Sequence, residues 1–127
     1  MDRIDIFIET PQIKFEKLNA PEAKDYTLKI KQEIEKAREI QKERFLKDGS
    51  IAVLTNSEIR INQIKKYCQI DYKSQNILRQ FVDSGKLSGR GYHRVLKTAR
   101  TIADLDGSDN IKYEHVAEAL MYRIRED

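Results

Sequence analysis

The chain opens on an alternating stretch, RIDIFIET, with Ile4, Ile6 and Ile8 on one side and Asp5, Phe7 and Glu9 on the other. A period of two predicts a short strand over residues 2–9. A lone strand leaves its backbone groups unpaired, and no second strand of similar quality follows, so its sheet is expected outside this chain. From Glu22 onward the period changes. Tyr26, Ile30, Ile34, Ala37 and Ile40 recur three or four apart, with Phe45 and Leu46 closing the run, which predicts a helix over 22–46 that Gly49 stops. IAVLTNS after it is ambiguous between a loop and an extended run. Asn56 or Ser57 caps a short helix reaching Tyr67 and Cys68. Asp71 starts another, with Tyr72, Ile77, Leu78, Phe81 and Val82 as its face and Gly85 as its end. Ser88 starts a fourth that runs to Asp106 and stops at Gly107, and a last helix covers 112–123. The expected architecture is all-α: a helical bundle over 21–127, preceded over 1–20 by one strand and a Pro11–Pro21 connector. Its expected shared core is Ile30, Ile34, Ile64, Ile77, Phe81, Val95, Leu96, Ala99, Ile102, Val116 and Leu120.

The helix from Ser88 carries the most informative polar pattern. At about 100° per residue, Tyr92, Val95, Leu96, Ala99, Ile102 and Ala103 gather on one side and Arg90, His93, Arg94, Lys97 and Thr101 on the other. A helix start carries partial positive charge, so a cation such as Arg90 is disfavoured there unless an anion joins it. A phosphate suits the position, because the free amides, the dipole and an arginine fork can all act on it, with Arg94 one turn on. Gly89 and Gly91 leave room for close approach. The plain alternative is a pair of solvated surface arginines.

Composition narrows the classes. The chain has 127 residues, 35% of them charged and 39% hydrophobic, which fits one small globular domain or a piece of a larger protein. A net charge of +3 does not by itself demand nucleic acid or a membrane. No apolar run approaches the ~20 residues needed to cross a bilayer, and the first ten residues do not read as a signal peptide. Cys68 is the sole cysteine, which rules out an internal disulfide, suits a reducing cytosol and reads as a packed thiol. His93 and His115 have no ligands at metal spacing, so no protein metal site is expected. Arg38, Gln41 and Arg44 share one helix face and read as a lid surface, a subunit contact or plain solvated charge. The tyrosines Tyr67, Tyr72, Tyr92, Tyr113 and Tyr122 are scattered at core edges rather than forming a stacking platform.

LSGRGYHRVLKTARTIADLDGSDNIKYEHVAEALMYR closely resembles the C-terminal domain of the magnesium-chelatase-like AAA+ ATPases of the ComM/YifB family. TNSEIRINQIKKYCQID, IEKAREIQKERF and DRIDIFIETP resemble the same family, in order and over nearly the whole chain. Gly91, where the family often has alanine, and SEIRIN depart from its pattern. The resemblance implies that residues 1–20 end an AAA+ core and that 21–127 form its helical lid. It implies that Arg90 is the sensor arginine reaching the γ-phosphate of its own core's nucleotide, with Arg94 beside it, and that Arg3 is the arginine finger serving the neighbouring subunit. It further implies ATP and Mg2+ in the full-length protein, a homo-oligomeric ring expected to be hexameric, a cytoplasmic location and a role in DNA branch migration during transformation and recombination. SGKLSGRG is glycine-rich but lacks the G-x-x-x-x-G-K-[ST] order of a phosphate loop, so this stretch alone is expected to be inactive toward ATP. The other reading is a free-standing helical DNA-binding or adaptor module with no nucleotide chemistry.

Overall fold

Two helices start at capping side chains, Asp71 and Ser88, and three stop at glycines, Gly49, Gly85 and Gly107. The computed structural model describes residue 6, residues 24–49 and residues 55–123. Within these, α1 spans Lys24–Lys47, α2 Ile64–Tyr67, α3 Tyr72–Asp83, α4 Gly89–Leu105 and α5 Tyr113–Arg123. Two 3-10 turns, Asn56–Glu58 and Ile61–Gln63, lead into α2. Thr55, not Asn56 or Ser57, starts the first turn, and the Glu58 carboxylate accepts from the Thr55 N–H at 3.2 Å. The Asp71 side chain accepts from the Ser74 N–H at 2.8 Å and caps α3. The three glycines read as stops all have left-handed φ, +78° at Gly49, +78° at Gly85 and +70° at Gly107. At the ends of α3 and α4 the chain closes in paired bonds, Lys86 N–H to Phe81 O and Ser108 N–H to Ala103 O, at 3.0 and 2.8 Å.

The fold is all-α among the described residues, as the periodicity predicts. Its only strand-like contact there is a single parallel bridge between Ile70 and Ile111. The expected strand over 2–9, with Arg3, lies outside the described residues except for Ile6, which is exposed and outside regular secondary structure. IAVL, residues 51–54, also lies outside them.

Helix α4 is the centre of the molecule. It packs on α5 along Ala99, Ala103, Val116, Ala119 and Leu120, where small side chains let the two backbones approach. Leu78 of α3 and Leu87 join this core, and Phe45 of α1 meets Tyr67 edge to face at 4.9 Å between ring centres. Ile64, Val95, Leu96, Ala99, Val116 and Leu120 are buried as expected, while Ile77, Phe81 and Ile102 pack at the core's edge.

Helix α1 departs from expectation. Ile30 and Ile34 are not core residues: they are 38% and 48% exposed. The body reaches only the C-terminal half of α1, through Ala37, Gln41 and Phe45, and every described side chain from Tyr26 to Lys36 is exposed. Periodicity reports which face of a helix is apolar; it does not report how far the neighbouring elements extend along it.

Candidate functional site

Ser88 sets the start of α4. Its backbone is extended, at φ −75° and ψ 168°, and its Oγ accepts from the Gly91 N–H at 3.0 Å. Tyr92 N–H reaches Ser88 O at 2.8 Å, so the amides of Gly89 and Arg90 are left at the helix end without intrahelical acceptors. Arg90 sits in this first turn with its side chain exposed, and Arg94, one turn on, is half-buried. The first turn thus presents a guanidinium, two amides and the positive end of the helix dipole to one side. No acidic residue occupies that turn.

The two glycines beside Arg90 differ. A Cβ at Gly89 would meet nothing within 4 Å, which leaves that side open. A Cβ at Gly91 would come within 2.9 Å of Leu87 Cδ1 and 3.2 Å of Ser88 Oγ. Gly91 therefore accommodates the buried Leu87 and the capping serine, not an approaching ligand as its spacing suggests.

The basic face of α4 does not continue as a solvent face. Lys97 Nζ donates to Ser57 O at 3.4 Å, and Thr101 Oγ1 accepts from Asn56 Nδ2 at 3.1 Å. Beyond them a buried polar cluster joins three segments. Asp104, with no exposed side-chain surface, receives both Arg44 terminal nitrogens, the second of these bonds running from Nη1 to Oδ2 at 3.1 Å. Arg100 Nε donates to Asp104 Oδ1 at 3.2 Å and Asn56 Nδ2 to Oδ2 at 2.9 Å. The rest of the Arg100 fork bonds the carbonyls of Ser108 and Asp109 at 2.9 and 3.1 Å. Gln41 Oε1 accepts from the Asn56 N–H at 3.1 Å. Burial pulls the Arg100 pKa below its ordinary value, and the Asp104 charge opposes that shift.

Gln41 and Arg44 are therefore interior residues, not a solvated lid surface, while Arg38 of the same set is exposed. One signal in the sequence pointed to the cluster. Asp104 lies in the last turn of α4, where the helix dipole disfavours an acid, and Arg100 stands one turn before it.

A cleft of about 300 Å³ opens over this cluster, lined by Arg44, Asp48, Lys66, Tyr67, Gln69, Arg100, Asp109 and Asn110. It lies toward the end of α4 opposite Arg90, ten residues and so about 15 Å along the axis. Its cations already have carboxylates: Lys66 meets Asp48 at 3.4 Å, and Arg44 and Arg100 share Asp104. It is not an anion receptor.

The remaining candidates are structural. Burial pushes the Cys68 thiol up to about 11, the reverse of an activated nucleophile. His115 is buried, with Nδ1 accepting from the Lys112 N–H at 2.9 Å and Nε2 facing Asp106 Oδ2 at 3.0 Å. Since Nδ1 must accept, Nε2 carries the proton and donates. His93 stacks edge-on to Tyr92. Among the described residues no three His, Cys, Asp or Glu side chains group as metal ligands would, and no helix is long and apolar enough to cross a membrane.

A helical domain built round a capped helix, with an exposed arginine side chain at its start and an ionic clamp at its end, is the class that the geometry defines. Residues 24–123 match the family model described as magnesium chelatase, subunit ChlI C-terminal, and the chain belongs to that family. It is 37% identical over 124 residues to the competence protein ComM of Haemophilus influenzae, covering 97% of this chain and 23% of that protein. It is 32% identical over 126 residues to YifB of Escherichia coli, again covering 97% of this chain and 23% of the relative. The chain thus spans about a quarter of the length of these relatives.

Proposed function

We propose that this domain is the nucleotide-sensing lid of an AAA+ ATPase that remodels DNA. The observation that carries the reading is the exposed Arg90 in the first turn of α4, beside amides without intrahelical acceptors and an open glycine, in a chain of the ComM/YifB group. Phosphoryl transfer spreads negative charge over equatorial oxygens, and a guanidinium aimed at them stabilises the transition state. In this reading Arg90, with Arg94 behind it, meets the γ-phosphate of ATP held by the core that precedes the lid. Arg3 meets the γ-phosphate of the neighbouring subunit in a ring, which we take as hexameric. The preceding core supplies the phosphate loop and the residues that hold Mg2+; nothing in the lid substitutes for them. The name of the Haemophilus relative, a competence protein, supports coupling to DNA during transformation, and branch migration is the remodelling step we assign. The site of action is the cytoplasm, where ATP and DNA meet.

The experiment is a pair of substitutions in the full-length protein. Arg90→Ala weakens ATP-driven lid closure as well as turnover. Arg3→Ala spares nucleotide binding and lowers ring hydrolysis by at least about several hundred-fold, since an arginine finger contributes ~10³–10⁵. Arg3→Ala subunits mixed with subunits dead in the phosphate loop regain partial activity, because some interfaces then pair an intact site with an intact finger. No recovery from any mixture of assembling mutants removes Arg3 from a trans role. Wild-type hydrolysis by Arg90→Ala makes Arg90 an ordinary surface arginine.

A further inference from the structure

Among the described residues, α1 turns Ala37, Gln41, Arg44 and Phe45 toward the body of the domain, and two of these side chains are polar. Gln41 is 3% exposed and the Arg44 side chain 20%. Both bond to the same place. Gln41 holds the backbone of Asn56, and Arg44 reaches the Asn56 side chain and both oxygens of Asp104. The turn that begins at Asn56 is tied to α4 at three levels: Asp104 and Thr101 through Asn56 Nδ2, and Lys97 through Ser57 O. These levels step back along α4 toward Arg90. Stability alone does not call for such a junction, since well-fitting apolar side chains in place of a buried ionic group are often neutral or stabilising. Apolar packing leaves direction loosely defined. A guanidinium fork on a carboxylate, and an amide oxygen on a peptide N–H, each hold best at one angle.

We propose that Arg44 and Gln41 are positioning residues: through Asn56 and Asp104 they set the angle between α1 and α4, and with it the place of the Arg90 guanidinium on the nucleotide phosphate. The inference rests on the reading of Arg90 as the sensor and adds what holds it in place. In that reading α1 leads in from the core that binds the nucleotide, so its angle to α4 is the angle at which Arg90 is presented. From Tyr92 to Asp104 the helix has no glycine or proline at which to bend. Arg90 stands about 21 Å along it from Asp104. An error of about 3° at the junction therefore moves the guanidinium by about 1 Å, and a misplacement of that size costs up to ~100-fold in rate.

The test is a double-mutant comparison of ATP hydrolysis in the full-length protein. Arg44→Lys keeps a positive charge beside Asp104 but replaces the fork by a single point contact. It lowers kcat/KM for ATP at least about tenfold, with wild-type circular dichroism. On an Arg90→Ala background the same substitution lowers kcat/KM by less than about twofold, because a group that acts by placing Arg90 has nothing left to place. Equal losses in the two backgrounds overturn the proposal and leave Arg44 a residue of the fold only. Wild-type kcat/KM from folded Arg44→Lys overturns it as well. If Arg44→Lys does not fold, Gln41→Met takes its place in the same comparison. Gln41→Glu then restores most of the rate, since it keeps an oxygen for the Asn56 N–H and meets the excess of two guanidiniums over one carboxylate. A loss in Gln41→Met that Gln41→Glu does not repair overturns the proposal. Failure of the sensor reading shows separately, as wild-type hydrolysis by Arg90→Ala alone, and the positioning role falls with it.

Discussion

At the scale of single residues, the side chain that most constrains this domain is Asp104. It is one carboxylate holding two guanidiniums, of which Arg100 is almost wholly buried and Arg44 mostly so. Asp104→Ala leaves both cations without a counter-charge and Asn56 without an acceptor, and costs about 3–5 kcal/mol of unfolding free energy, measurable by urea denaturation. Asn at this position restores a hydrogen-bond acceptor but no charge, and recovers only part of the loss. Little of this cluster was legible in advance. Apart from Arg100 and Asp104, four positions apart on one helix, its bonded partners lie 12 to 60 positions apart in sequence, and each read alone has the features of a surface residue. Only the placement of an acid at the negative end of a helix hinted that a compensating cation was near. Cys68 gives a second prediction. Burial holds its pKa at about 11 against an ordinary 9.0. The folded chain therefore keeps a proton that the unfolded chain releases between those values. The contribution is fully present below pH 9 and is lost as pH rises from 9 to about 11, by about 1–3 kcal/mol relative to Cys68→Ala. In the native protein at pH 8, iodoacetamide modifies Cys68 far more slowly than after unfolding.

At the scale of elements, caps and stops were the most legible part of the sequence. Asp71, Ser88, Gly49, Gly85 and Gly107 all act where residue type alone places them. Their information is local: one side chain and the next three residues decide whether a helix starts. Ser88→Ala removes the acceptor of the Gly91 N–H and destabilises the domain by about 1 kcal/mol, whereas Ser88→Gly costs only a few tenths, as thermal unfolding of the two variants checks. The larger consequence of losing that cap lies at Arg90, which fraying of the first turn would release from its fixed position. Burial along α1 was the least legible feature at this scale. Ile30 and Phe45 read alike in the pattern, and only the reach of α4 and of the 56–58 turn separates them.

At the scale of the whole molecule, the proposed function makes the candidate site one part of a site. Arg90 was legible as an oddity of charge and helix polarity, and it stands exposed in the first turn of a capped helix. Under the proposed function, the groups that bind most of the nucleotide belong to the preceding core. Accordingly, titration calorimetry of the 127-residue chain with ATP shows no micromolar binding, because one or two guanidiniums and a pair of amides supply a minority of the phosphate contacts. Helix α1 gives the domain a further mechanical property. It runs 24 residues without proline or glycine, so nothing in it invites a kink. Arg44 fastens one end to Asp104 at the base of the helix that bears Arg90, while the other half extends clear of the body. Such a rod is a lever with its fulcrum at the ionic clamp. From Lys24 to Arg44 the arm is about 30 Å, so a tilt of about 5° at the fulcrum carries its tip about 3 Å. Small angular adjustments around one carboxylate become displacements comparable to an atom's diameter at the far end, and the same arm returns motion of its tip to the helix that carries the arginine.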